Sequence, residues 1–186
     1  MSDCRNFVYI WTLILHVEKA YCDTSAWERP RTLYDLPDFI DRYKSSAGEN
    51  HSLSSAFKQN GSPHTLVITS AGLRAADITR ALRKFQTKEA VVAKLFAKHI
   101  KLKEAIAYVK RTRMSFGVGT PSRVIDLLDA VTQLERVLVD ATHIDQKKRG
   151  ILDMRETQEP LMQLLNRPEL KSRYGSGSGS IQLILY

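Results

Sequence analysis

From His64 onward, apolar positions along the chain switch back and forth between two periods. His64-Thr65-Leu66-Val67-Ile68-Thr69-Ser70 is a β-branched run ending in a Ser-Ala-Gly turn, which predicts a buried strand. The period then becomes helical, with Ile78, Ala81, Leu82 and Phe85 on one face. Ala90 to Phe96 reads as a second strand, followed by Leu102, Ala105, Ile106 and Val109 in helical register. Met114 to Gly119 is a third strand. After Thr120-Pro121, the positions Val124, Leu127, Leu128 and Val131 share one helix face. Leu134 to Asp140 is a fourth strand ending in an acid, and a helix carrying Leu161, Leu164 and Leu165 follows. A Gly-Ser run, Gly175 to Ser180, leads to a final strand, Ile181 to Tyr186, which leaves an open edge if it lies outermost. Strands alternating with helices predict an α/β fold, a doubly wound parallel sheet. Functional residues in such sheets sit at the carboxyl ends of strands, here Ser70–Gly72, Ala97–His99, Gly119–Thr120 and Asp140–Ala141.

The first third of the chain follows neither period. Phe7 to Val17 is strongly apolar, too short to span a bilayer but long enough for a signal-peptide core. In that case Asn50-His51-Ser52 and Asn60-Gly61-Ser62 become glycosylation candidates. Asp3 offsets Arg5, however, and no small-x-small cleavage site follows, which favours a buried strand or helix or a misassigned start. Residues 23–63 are polar and broken by Pro30, Pro37, Gly48, Gly61 and Pro63, with one helical stretch, Leu36 to Tyr43. The expected organisation is an atypical apolar segment (1–21), an irregular extension (22–63) and one α/β domain (64–186). A chain of 186 residues can bury a core of that kind.

Composition adds little except through charge. With 43% hydrophobic and 26% charged residues, wholesale disorder is not expected. The net charge of +8 is concentrated: between Arg74 and Arg113 twelve basic residues face only Asp77, Glu89 and Glu104. That window alone exceeds the excess of the whole chain, which points to a polyanionic partner. Two cysteines, Cys4 and Cys22, make neither a disulfide framework nor a metal site, so the reading is intracellular.

The candidate chemistry centres on Thr120-Pro121-Ser122-Arg123. Thr120 is placed to cap the helix, and Pro121 fits its first turn. A hydroxyl, free amides and Arg123 at a helix N-terminus suit phosphate. The arrangement resembles the strand–Thr-Pro-Gly-Arg–helix unit with which DEAD-box RNA helicases grip the RNA backbone. Ser122 is the one departure, and its Cβ narrows the approach to phosphate. In the same resemblance, Ser70-Ala71-Gly72-Leu73-Arg74 stands where helicases have Pro-Thr-Arg-Glu-Leu, and Ala97-Lys98 stands near their Gly-Gly pair. The implied RNA-backbone contacts are Arg74, Lys98, Thr120, Ser122 and Arg123. For Arg74 and Arg123 the alternative is an ion pair with a nearby acid such as Asp77 or Asp126.

The ATPase chemistry of those helicases is missing. No Gly-x-x-x-x-Gly-Lys-Ser/Thr phosphate loop occurs in the sequence, and Asp140-Ala141-Thr142-His143 replaces Asp-Glu-Ala-Asp. The resemblance therefore implies a single RecA-like lobe, like a DEAD-box first lobe with degenerate ATPase motifs: a pseudo-ATPase, with no cofactor and no metal. His51, His64, His99 and His143 fall at no metal-ligand spacing. Asp140, His143 and Asp145 form an acid–base cluster only in the sense that loops after strands collect polar residues.

Longer blocks resemble the Cms family, small eukaryotic nucleolar proteins associated with early small-subunit pre-ribosomes. They are Asp23-Thr24-Ser25-Ala26-Trp27-Glu28, Thr32 to Phe39, Thr69 to Asp77, Lys94-Leu95-Phe96-Ala97-Lys98-His99-Ile100-Lys101, Val118 to Arg123 and Asp145-Gln146-Lys147-Lys148-Arg149-Gly150. The likeness covers about residues 22 to 186. Residues 1–21 do not share it, which suggests a truncated or mispredicted start. The resemblance implies a nucleolar, non-catalytic assembly factor whose partners are pre-ribosomal RNA and ribosome-assembly proteins, with no membrane and no small-molecule substrate. The alternative is a scaffold whose basic helices dock acidic assembly factors, with Asp145–Arg149 as a docking or nuclear-import patch. A two-chain ATPase fed by a partner's phosphate loop is disfavoured by the lone acid, Asp140.

Overall fold

Parallel strands can be joined only by crossovers, so each helix between two strands is laid against one face of the sheet. The computed structural model describes residues 20–44, 52–96, 100–131, 133–175 and 179–186. Phe7 to Val17 and Ala97 to His99 lie outside them. The elements are α1 (Leu36–Arg42), β1 (Thr65–Ile68), α2 (Gly72–Leu82), β2 (Val91–Lys94), α3 (Leu102–Arg111), β3 (Met114–Gly119), α4 (Pro121–Leu127), β4 (Arg136–Val139), α5 (Arg155–Leu165), α6 (Pro168–Lys171) and β5 (Gln182–Leu185). The five strands form one all-parallel sheet in the order β2-β3-β1-β4-β5. The expected α/β, parallel-sheet architecture is what the structure shows, with β3 at its expected bounds and the other four strands trimmed by a residue or two at their ends.

Alternation along β1 explains the two cores. Leu66 and Ile68 face a layer built from α3, α4 and α5 with Val109, Val124, Leu127, Leu161 and Leu164. Val67 faces the other layer, where Phe39 and Ile40 of α1 join Ile78 and Leu82 of α2 against Phe116, Val118, Leu138 and Ile184. The helical faces read from sequence are narrower in the fold. Ala105 and Val109 of α3 are buried, Ile106 is half-buried and Leu102 is exposed. The stretch after Pro121 is α-helical only to Leu127, and a tighter turn, Leu128–Ala130, follows.

Two glycines of β3 allow the first layer to close. A Cβ on Gly117 would lie 2.8 Å from Leu95 Cδ1, and one on Gly119 would lie 2.6 Å from Val124 Cγ2. The start of α4 is thereby held tight against the carboxyl end of the sheet.

The segment before β1 is part of the core rather than an appendage on it. Phe39 is fully buried, with ring centroids 5.2 Å from Trp27 and 4.6 Å from Tyr186. Arg136, 2% exposed at the foot of β4, donates to the Lys44 carbonyl at 2.9 Å beyond the end of α1 and pairs with Glu135. Residues 20–22 reach the far side of the sheet. The Cys22 amide donates to Leu183 O and the Leu183 amide to Ala20 O, a parallel bridge on the outer edge of β5. The last strand is outermost, but its edge is not simply open. At the other end of the sheet, no described strand pairs with the outer side of β2.

Candidate nucleic-acid interface

β1 sends its connection toward β2 on one side of the sheet, while β4, its neighbour, sends its own toward β5 on the other. The crevice above the ends of these two strands is where doubly wound sheets take ligands. Here internal groups fill it. Asp140, 1% exposed, accepts from Arg74 Nε at 2.9 Å and Arg74 Nη2 at 3.1 Å, and from the Thr69 hydroxyl at 2.7 Å. A bidentate guanidinium and a hydroxyl occupy both carboxylate oxygens. The acid at the end of β4 thus faces an arginine of the same protein. Arg74 does have the ion-pair partner expected as the alternative to RNA contact, but that partner is Asp140. Asp77 pairs instead with Arg80 at 2.5 Å.

A second feature lies one strand over. The turn Ser70–Gly72 and the turn Thr120–Arg123 line a common cavity of about 460 Å³, closed on the side of α5 by Glu156 and Thr157. The structure therefore brings together Thr120, Ser122 and Arg123 with the Ser-Ala-Gly turn. Arg74 is turned away into the crevice, and Lys98 lies outside the described residues. Thr120 has extended geometry (φ −92°, ψ 153°) but makes no side-chain cap to α4, contrary to the expectation that it caps the helix. Thr120 is half-buried and lines the cavity. Pro121 takes the first helical position, as anticipated. Ser122 is exposed, and Arg123 donates through Nη2 to the Ile100 carbonyl at 2.7 Å. Asp126 also lines the cavity, so an anion would meet the turn's own donors rather than a uniformly basic wall.

Behind the crevice, Tyr186 donates its hydroxyl to the Thr32 carbonyl at 2.5 Å, and burial pushes its phenol well above the usual range. Arg31 donates to Leu185 O at 2.6 Å and Thr24 Oγ1 at 2.9 Å. The contacts to Tyr186 and Leu185 fasten the segment before β1 to the end of β5. Sequence periodicity holds no signal for those two, since each joins residues 154 positions apart.

The loop after β4 carries the run singled out as a docking patch. Asp145 Oδ1 accepts the Lys147 amide at 2.8 Å and the Arg149 amide at 2.9 Å, and Oδ2 takes the Arg149 guanidinium at 3.1 Å. The Arg149 backbone amide is the main cause that holds the Asp145 carboxyl below the usual carboxylate range. Lys147 and Lys148 are exposed on this pinned turn, and Lys148 adopts φ 58°. The five histidines divide: His16, His51 and His99 lie outside the described residues, His64 is buried beside Thr65 and the Leu53 carbonyl, and His143 is half-buried.

A family model described as "CMS1: U3-containing 90S pre-ribosomal complex subunit" matches residues 14–186. The chain belongs to the CMS1 family. Protein CMS1 of Chaetomium thermophilum is 52% identical over 168 residues, which cover 88% of this chain and 66% of that protein. Protein cms1 of Schizosaccharomyces pombe is 30% identical over 146 residues, covering 77% and 50%. Human protein CMSS1 is 32% identical over 104 residues, covering 54% and 37%. This CMS1-family chain thus spans at most 66% of the length of these relatives. The Cms resemblance read from residues 22 to 186 falls inside the matched range.

Proposed function

We propose that this chain is a non-catalytic assembly factor of small-subunit pre-ribosomes, working in the nucleolus and gripping RNA phosphates at the Thr120–Arg123 turn. Membership of a family described as a U3-containing 90S pre-ribosomal complex subunit supports the setting. The observation that carries the grip is the shared cavity of the Ser70–Gly72 and Thr120–Arg123 turns at the carboxyl ends of a parallel sheet. In this reading the amides of Ser122 and Arg123, the hydroxyls of Thr120 and Ser122, and the Arg123 guanidinium meet successive phosphate oxygens. Arg74 supports the rim from within by neutralising Asp140, so its contribution to binding is positional. The same ion pair supports a pseudo-ATPase, because it leaves the one retained acid no charge to offer a metal. The DEAD-box-like, RecA-like lobe remains part of this proposal, favoured by the strand order and by the turns at the rim.

Binding of this kind is largely sequence-independent and steeply salt-sensitive. The test is a salt titration of binding to structured RNA by the wild-type chain and by Thr120→Val/Arg123→Ala, with and without ATP and Mg²⁺. The variant should bind more weakly at low salt and lose about one unit of salt slope per phosphate contact removed. ATP should change nothing. Equal affinity and slope in the two proteins would remove the turn as the site.

A further inference from the structure

The basic residues between Arg74 and Arg113 are not equivalent in the fold. Arg74, Arg80, Lys84 and Arg113 are paired with Asp140, Asp77, Asp38 and Glu89. The side chains of Arg83, Lys88, Lys94, Lys101, Lys103, Lys110 and Arg111 have no ion-pair or hydrogen-bond partner among the described residues. Of these, Arg83, Lys94 and Arg111, with the single acid Glu104, line one groove of about 720 Å³ that runs along β2, with Arg83 beyond the end of α2 and Arg111 on α3. The floor is apolar: Val91, Leu95 and Leu127.

The strand beneath is an end strand of the sheet. The Val91 amide donates to Arg113 O at 3.2 Å and the Leu95 amide to Val118 O at 2.7 Å, both toward β3. Backbone direction alternates along a strand, so the N–H and C=O groups of Val92 and Lys94 point away from β3, toward the groove. No described strand pairs with that side. We propose that this edge accepts an extended acidic peptide from a protein partner, which adds a strand to β2 and places carboxylates against Arg83, Lys94 and Arg111. An extended peptide matches the alternating donors and acceptors of the edge as well as the charge of its rims. RNA matches only the charge, since phosphates would meet the outward carbonyls and an apolar floor. The proposal is independent of the phosphate grip, although Arg123 lines both cavities.

The test uses the 186-residue chain and a fluorescein-labelled peptide of about twelve residues alternating Glu and Val, with a uridine oligonucleotide as the competing class. Peptide affinity is read by anisotropy, and the Val92 and Lys94 amides by hydrogen exchange. The expected result is saturable binding, about tenfold or greater protection of those two amides, and no such protection by the oligonucleotide. Arg83→Glu/Arg111→Glu, with Arg123 intact, should weaken the peptide by at least about tenfold. It should weaken RNA binding less than Thr120→Val/Arg123→Ala does, since it removes no contact at the rim turn. No binding at low salt overturns the proposal. So does binding without protection of Val92 and Lys94, or equal protection by the oligonucleotide. The exchange measurement on wild type stands alone if the charge-reversed protein does not fold.

Discussion

Asp140 and Arg74 show how one residue decides between a site and a strut. Removing the Arg74 guanidinium leaves a carboxylate that is 1% exposed with only the Thr69 hydroxyl. Breaking a buried pair in this way costs about 3–5 kcal/mol. Arg74→Ala should therefore lower stability in urea by that amount, whereas Arg74→Met/Asp140→Leu should recover most of it, since an apolar pair carries no unpaired charge. A single-variant cost below about 1 kcal/mol would mean that water reaches the pair. Gly119 offers a second test. An Ala there sets a Cβ 2.6 Å from Val124 Cγ2 and 3.2 Å from the Leu95 carbonyl. Overpacking of this kind costs about 1–3 kcal/mol, and because it displaces the start of α4 it should also weaken RNA binding at the rim.

At the scale of elements, α1 matters more than its seven residues suggest. Its tightness depends on Phe39, wedged among Trp27, Tyr43 and Tyr186. Phe39→Ala should cost about 3–5 kcal/mol, as for an aromatic in a core. A surface-bound extension would lose far less. The Asp145 turn has a pH signature. Its folded carboxyl lies below the unfolded value, so the turn's contribution is complete above the ordinary carboxylate range and is lost as pH falls through the lowered value. The Lys147 and Arg149 amide resonances should report that titration together, and Asp145→Asn should abolish it. Resonances that move independently would show that the carboxylate does not hold both.

At the scale of the whole molecule, the segment around Trp27 and the sheet share one core, which predicts one cooperative transition. In a Trp11→Phe background, Trp27 fluorescence and far-UV ellipticity should give coincident urea curves. An earlier fluorescence transition would make residues 20–44 a separately melting unit. Much of this was readable beforehand. The alternation of apolar periods from His64 determined the strands, the helices between them and hence the parallel sheet. Thr120-Pro121-Ser122-Arg123 marked the rim turn without any coordinates, because a turn's chemistry is local. Other features were decided only by the tertiary structure. Arg74 and Asp140 are separated by 66 positions and meet because the crossovers place β1 beside β4. Likewise, residues 20–22 return to bridge β5, whereas no described strand pairs with the outer side of β2. Sequence periodicity reports which face of an element is buried. Only the packed topology says which charges are left unpaired beside which unsatisfied backbone.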